Sequence, residues 1–118
     1  MQKYFNYYRN KRIAVSGASG FIGSYLLHEV SKHSKTAFGL SRKKAKIGKL
    51  KILKIDLNEE KDLKKVVKKF DIFFHFAADT NLEKAEKDPD NNFNSNVKPI
   101  INLIRHSIKL KKKIKIIF

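Results

Sequence analysis

Ala14-Val15-Ser16-Gly17-Ala18-Ser19-Gly20-Phe21-Ile22-Gly23 stands between an apolar stretch, Ile13 to Val15, and a segment where Ile22, Leu26 and Val30 recur at every fourth position. The apolar stretch reads as a buried strand and the spaced segment as an amphipathic helix. Strand, glycine turn and helix in that order form a receiving site for a pyrophosphate. Gly17 would permit the sharp turn out of the strand, and Gly20 would let the backbone approach an anion with no Cβ in the way. Gly23 would let the helix pack closely on the sheet. The main-chain N–H groups around Ser19 to Ile22, with the positive end of the helix dipole, then face the anion.

The spacing is G-x-x-G-x-x-G, not the commoner G-x-G-x-x-G. Gly17-Ala18-Ser19-Gly20-Phe21-Ile22-Gly23 closely resembles the loop of the extended short-chain dehydrogenase/reductase family, the NAD(P)-dependent epimerases and dehydratases that act largely on nucleotide sugars. The resemblance implies cofactor contacts for Gly17, Ser19, Gly20, Phe21, Ile22 and Gly23, and it runs from about Arg12 to Phe118.

Four further stations follow in the family's order. An acidic residue at the end of the second strand marks NAD users in this family; here the position, 24 residues after Gly17, is Ser41, followed by Arg42, Lys43 and Lys44. A hydroxyl beside cations suits a 2′-phosphate, so the resemblance implies NADP in preference to NAD. Asp56-Leu57 resembles the pair that contacts adenine, although an aspartate after a strand also serves turns and caps. His75-Phe76-Ala77-Ala78 resembles the H-x-A-A motif, in which Ala77 and Ala78 give clearance to the cofactor. His75 itself reads as a core histidine. Asn96-Val97 resembles the start of N-V-x-G-T, with Pro99 and Ile100 where glycine and threonine are usual, and Asn96 is the fourth station.

The rest of the chain reads as an alternation of strands and helices. Thr36 to Leu40 and Leu50 to Ile55 are expected as the second and third strands. Asn58 to Lys69 is expected as a helix with Leu63, Val66, Val67 and Phe70 inward and five lysines outward. Asp71 to Ala77 has the continuous apolar character of a central parallel strand, and a loop is expected after it. Asp88-Pro89 starts a helix, with Phe93, Val97, Ile100, Ile101, Ile104 and Ile108 as its apolar stripe and a bend at Pro99. Lys111 to Lys113 close it, and Ile114 to Phe118 form a fifth strand. The expected fold is α/β, a Rossmann-type parallel sheet of about five strands in order 3-2-1-4-5 with helices on both faces. Residues 1–11 would form an extension, a short helix covering the sheet edge, and residues 12–118 an incomplete nucleotide-binding domain.

Composition narrows the classes of function. The formal charge is +16, from 27 basic and 11 acidic residues, but only Arg9, Arg12, Arg42 and Arg105 are arginine. A lysine-dominated excess lacks the bidentate donors that read bases, so specific nucleic-acid binding is not expected. With no cysteine, disulfides, thiolate metal sites and cysteine nucleophiles are excluded. No apolar run reaches the roughly 18 residues of a membrane span, and a cytoplasmic location is the expectation.

The family's proton-transfer pair, Tyr-x-x-x-Lys, follows the fifth strand. Tyr7 and Tyr8 precede Lys11 and Arg12 at that spacing, but both lie before the glycine loop. The chain is therefore expected to be the NAD(P)-binding portion of a truncated or split enzyme, without activity alone. The alternative is a non-catalytic dinucleotide-binding module that pairs with another chain; a basic nucleic-acid-binding domain stands third. A nucleotide sugar would bind only if another chain completed the site. The apolar fifth strand, left at the sheet edge, is expected to drive self-association.

Overall fold

The computed structural model describes residues 2–118. Five parallel strands, β1 (Arg12–Ser16), β2 (Thr36–Ser41), β3 (Ile52–Lys54), β4 (Ile72–His75) and β5 (Lys115–Ile117), pair in the order β3-β2-β1-β4-β5. The expected order is the observed one. β1 is central, with Val15 opposite Gly39 on one side and Phe74 on the other. Both its neighbours are apolar, which is why β1 and β4 read as unbroken hydrophobic runs.

Period-two alternation sends successive side chains to opposite faces. Ile13, Val15, Ile72 and Phe74 go to one face, where they meet Leu27 and Val30 of α2 (Phe21–His33). Ala14, Phe38, Leu40 and Phe73 go to the other. There they pack on Leu63 and Val66 of α3 (Glu60–Val66), on Val67 and Phe70 beyond it, and on Leu103 of α6 (Lys98–Lys109). The expected inward residues Leu63, Val66, Val67 and Phe70 are all buried, but the helix begins at Glu60, two residues later than expected, and ends in a single 3₁₀ turn, Val67–Lys69.

The other helices depart from expectation in instructive ways. In α2 the buried line is Gly23, Leu27 and Val30, while Ile22 is 63% exposed. A spacing of exactly four drifts around a helix of 3.6 residues per turn, so Ile22 leaves the face that Val30 occupies. The segment after β4 is not only loop: it holds α4 (Leu82–Lys87), capped by the Asn81 side chain on Lys84 N–H. The long helix expected from Asp88 is two helices, α5 (Pro89–Asn96) and α6, broken at Val97, two residues before Pro99. Pro99 sits at the start of α6, where its missing N–H costs nothing. The break also rotates the stripe: Pro99, Leu103, His106 and Ser107 are buried, whereas Phe93, Val97, Ile104 and Ile108 are exposed.

Residues 2–8 form the helix α1 (Gln2–Tyr8); Met1 lies outside the described residues. Phe5 stacks on His33 at the end of α2, and the Nζ atoms of Lys11 and Lys115 lie over the Tyr7 ring at 5.5 and 5.0 Å. Tyr8 packs against the α2-side core. The segment is thus fastened to the same body as the sheet, at the end where the strands begin.

Candidate dinucleotide cleft

At the opposite end, where the strands finish, a cleft of about 850 Å³ opens. Parallel sheets place ligands there, because each strand delivers its following loop to the same edge. Of the residues singled out in the sequence, Gly17, Ser19, Ser41, Arg42, Asp56, Leu57, Ala77 and Ala78 line it. They come from the ends of four strands, and only the topology brings them together.

The glycine loop is built by collision avoidance. Gly17 has φ +65°, and a Cβ there would lie 2.7 Å from the Phe76 carbonyl carbon and oxygen and 2.8 Å from Ala77 N. A Cβ on Gly23 would overlap the Gly17 carbonyl oxygen. The clearance at Gly23 is therefore for the loop itself, a correction to the expected packing of helix on sheet. Gly20 is the N-cap of α2 and offers no side chain to it. Its N–H instead closes the turn by donating to the Gly17 carbonyl at 2.9 Å. The first N–H groups of α2 have no helical acceptors, as in any helix, and remain free for an anion. Phe21 and Ile22, exposed at 93% and 63%, lie outside the cleft lining together with Gly20 and Gly23.

Sequence reasoning also passed over Gly39. A Cβ at this position in β2 would strike the Ala18 side chain, so the glycine lets the loop settle on the sheet.

Asp56 serves the turn that an aspartate after a strand was expected to serve, and it also faces the cleft. It lines the cleft, and its Oδ1 accepts from Asn58 N–H at 2.9 Å while Asp62 accepts from its own N–H at 2.9 Å. Leu57 is buried in the core beneath. At the neighbouring mouth, Ser41 Oγ accepts from Lys43 N–H at 3.3 Å, and Arg42, Lys43 and Lys44 form the rim. Among the described residues, none of these three cations pairs with a carboxylate.

Asn96 is placed differently from a cofactor contact. Its Oδ1 accepts from Asp79 N–H at 2.7 Å and its Nδ2 donates to Asp79 O at 2.8 Å, so it clamps the loop after β4 without lining the cleft. His75, expected as a core residue, is half-buried in the cleft wall, its Nδ1 2.7 Å from Ser16 Oγ. Burial pushes the imidazole's pKa down, and an acceptor at the Asn96 main chain opposes this. Ser16, buried and also in the wall, was missed in the sequence. Its one signal was a hydroxyl at the last strand position before the glycine turn.

The cleft fits a dinucleotide. Its volume is within the range of small-molecule sites, and cations without a carboxylate partner among the described residues stand at one mouth.

The fold and this cleft define a Rossmann-type α/β nucleotide-binding domain. The sequence profile of the "NAD dependent epimerase/dehydratase family" matches residues 13–118, and the chain belongs to that family. It is 29% identical over 116 aligned positions to a UDP-N-acetyl-alpha-D-glucosaminuronate decarboxylase of Bacillus cytotoxicus, covering 88% of this chain and 35% of that protein. Among solved structures it is similar to the UDP-N-acetylglucosamine 4-epimerase of Methanobrevibacter ruminantium in complex with UDP-N-acetylmuramic acid. That match has TM-score 0.74 and 25% identity, over 93% of this chain and 37% of that one. The UDP-glucose 4-epimerase of Thermus thermophilus in complex with NAD shares the fold, with TM-score 0.71 and 20% identity over 85% and 34% of the two chains. The chain thus spans about a third of the length of the relatives it matches.

Among the described residues no helix is long and apolar enough to cross a membrane.

Proposed function

We propose that these 118 residues are the dinucleotide-binding portion of a nucleotide-sugar epimerase/dehydratase-type oxidoreductase acting in the cytoplasm. The observation that carries this reading is the convergence of Gly17, Ser41, Arg42, Asp56 and Ala77 on one cleft at the strand ends. A nicotinamide dinucleotide supplies the hydride acceptance and return that sugar epimerisation and dehydration need. The chain's own residues bind and orient it. The α2 N-terminus and the Gly17–Gly20 turn receive the diphosphate, Asp56 and Leu57 receive the adenine, and Ala77 and Ala78 leave room for the ribose.

The rim of Ser41, Arg42, Lys43 and Lys44 favours NADP over NAD, because a 2′-phosphate would meet free cations and a hydroxyl where an NAD site offers a carboxylate. Proton exchange with the sugar requires a tyrosine–lysine pair beside the nicotinamide. Tyr4, Tyr7, Tyr8 and Tyr25 lie outside the cleft lining. The reaction is therefore completed by a segment or chain beyond these residues, and the nucleotide sugar binds there.

Titration calorimetry of the chain with NADP⁺ and NAD⁺ tests the reading. Binding of both, tighter for NADP⁺, is expected. No heat from either at millimolar concentration would overturn it, and a preference for NAD⁺ would overturn the part that rests on Arg42.

A further inference from the structure

The hydrogen bonds around Ser16 leave only one arrangement of protons. Its Oγ accepts from Phe76 N–H and Ala77 N–H, both at 3.2 Å, and lies 2.7 Å from His75 Nδ1. A hydroxyl oxygen has two lone pairs and one proton. The two amides take the lone pairs, so the proton goes to Nδ1. Were Nδ1 protonated, the oxygen would face three donors and its own proton would have no acceptor. Ser16 is 3% exposed, so water cannot make up that loss.

We propose that His75, as the neutral tautomer with its proton on Nε2, is a positioning residue that orients the Ser16 hydroxyl and thereby holds the Phe76–Asp79 loop against the glycine turn. The Asn96 side chain grips both main-chain groups of Asp79, so the loop is held at each end, by Ser16 at Phe76 and Ala77 and by Asn96 at Asp79. The loop so held is the one whose Phe76 carbonyl and Ala77 nitrogen would meet a Cβ on Gly17. A slack loop would close on the turn where the diphosphate is expected. This consequence for ligand affinity rests on the dinucleotide reading; the proton arrangement and the loop position do not.

The first measurement is ¹⁵N spectroscopy of the imidazoles in the ligand-free chain at neutral pH. A pyridine-type Nδ1 and a pyrrole-type Nε2 are expected for His75, and the reverse would overturn the proposal. The second is amide hydrogen exchange in His75→Phe and His75→Asn, since the asparagine Oδ1 can accept in place of Nδ1. Exchange at Phe76 and Ala77 should rise about tenfold in His75→Phe, as for the loss of one hydrogen bond, and return close to wild type in His75→Asn. Uniform acceleration along β4 in both variants, or no change at the two amides, would overturn it. Ser16→Ala serves as the second probe should His75→Phe not fold, and should accelerate the same two amides.

NADP⁺ titration then separates the two readings. About tenfold weaker binding in His75→Phe, restored in His75→Asn, supports both. Absent binding in wild type with the exchange pattern intact would sink the dinucleotide reading and leave the positioning role standing.

Discussion

The two ends of the sheet use similar charges for opposite purposes. Where the strands begin, Asp71 accepts from the Arg12 side chain at 2.7 and 3.1 Å, from Arg12 N–H at 3.0 Å and from Lys112 Nζ at 3.0 Å, tying β1, β4 and the α6–β5 turn together. The Arg12 guanidinium, with Lys112, holds its carboxyl well below the usual carboxylate range. Where the strands end, Arg42, Lys43 and Lys44 carry similar cations, and among the described residues none of them pairs with a carboxylate, although Asp56 and Asp79 line the same cleft. Closure there rests on glycine turns, a buried hydroxyl and main-chain hydrogen bonds, which leave the cations uncommitted. One end spends its cations on the fold, and at the other they stand unpaired among the described residues, where the proposed function puts a 2′-phosphate.

The largest effect should come from Gly17→Ala. The strain of positive φ and overlap with Phe76 together destabilise by about 2–5 kcal/mol. Denaturant midpoints should show this, and calorimetry should show dinucleotide binding lost. A substitution tolerated at this end would mean that the cleft is less tightly closed than its contacts imply.

Asp71→Asn should cost about 1–2 kcal/mol at neutral pH, a part-exposed cluster being screened by solvent. The carboxyl's folded pKa lies below its ordinary value of 3.8, so its stabilisation is complete above about pH 5 and drains away as pH falls through 3.8 and below. Midpoints measured across that window should converge for the two proteins in acid. Dinucleotide affinity should not change, because the cluster lies at the far end.

Arg42→Ala should do the reverse. It should lower NADP⁺ affinity by about tenfold with NAD⁺ affinity nearly unchanged, and leave the denaturant midpoint where it was. Equal losses for both coenzymes would remove the assigned division of labour between the ends.

The smallest effect is at Lys111, which closes α6 with φ 51° while Lys112 N–H donates to Ser107 O at 2.9 Å. This is a left-handed helix end that suits glycine. Lys111→Gly should stabilise by about 0.5–1 kcal/mol, readable as a raised melting temperature.

Much of this was legible because it is local. The strand, glycine turn and helix from Ile13 to Val30 are contiguous, so spacing alone reports them. The α3 stripe and the Asp88-Pro89 helix start are contiguous too. The departures arise where neighbours far along the chain decide. Ile22, Phe93 and Ile108 are apolar at helical spacing, yet the helix axis and the break at Val97 turn them outward. α4 leaves little trace in the sequence because its six residues, Leu82–Lys87, bury no side chain and so need no apolar stripe.

Within the cleft, the residue types needed at Gly17, Ser41 and Asp56 could be read one by one, since each is a property of its own loop. Their convergence, the bond between Ser16 and His75 across 59 positions, and the grip of Asn96 on Asp79 belong to the packed sheet. Backbone propensity and hydrophobic period act over a few residues and are written along the chain. Which hydroxyl meets which imidazole depends on the register of β1 beside β4, and that register exists only once both faces of the sheet are covered.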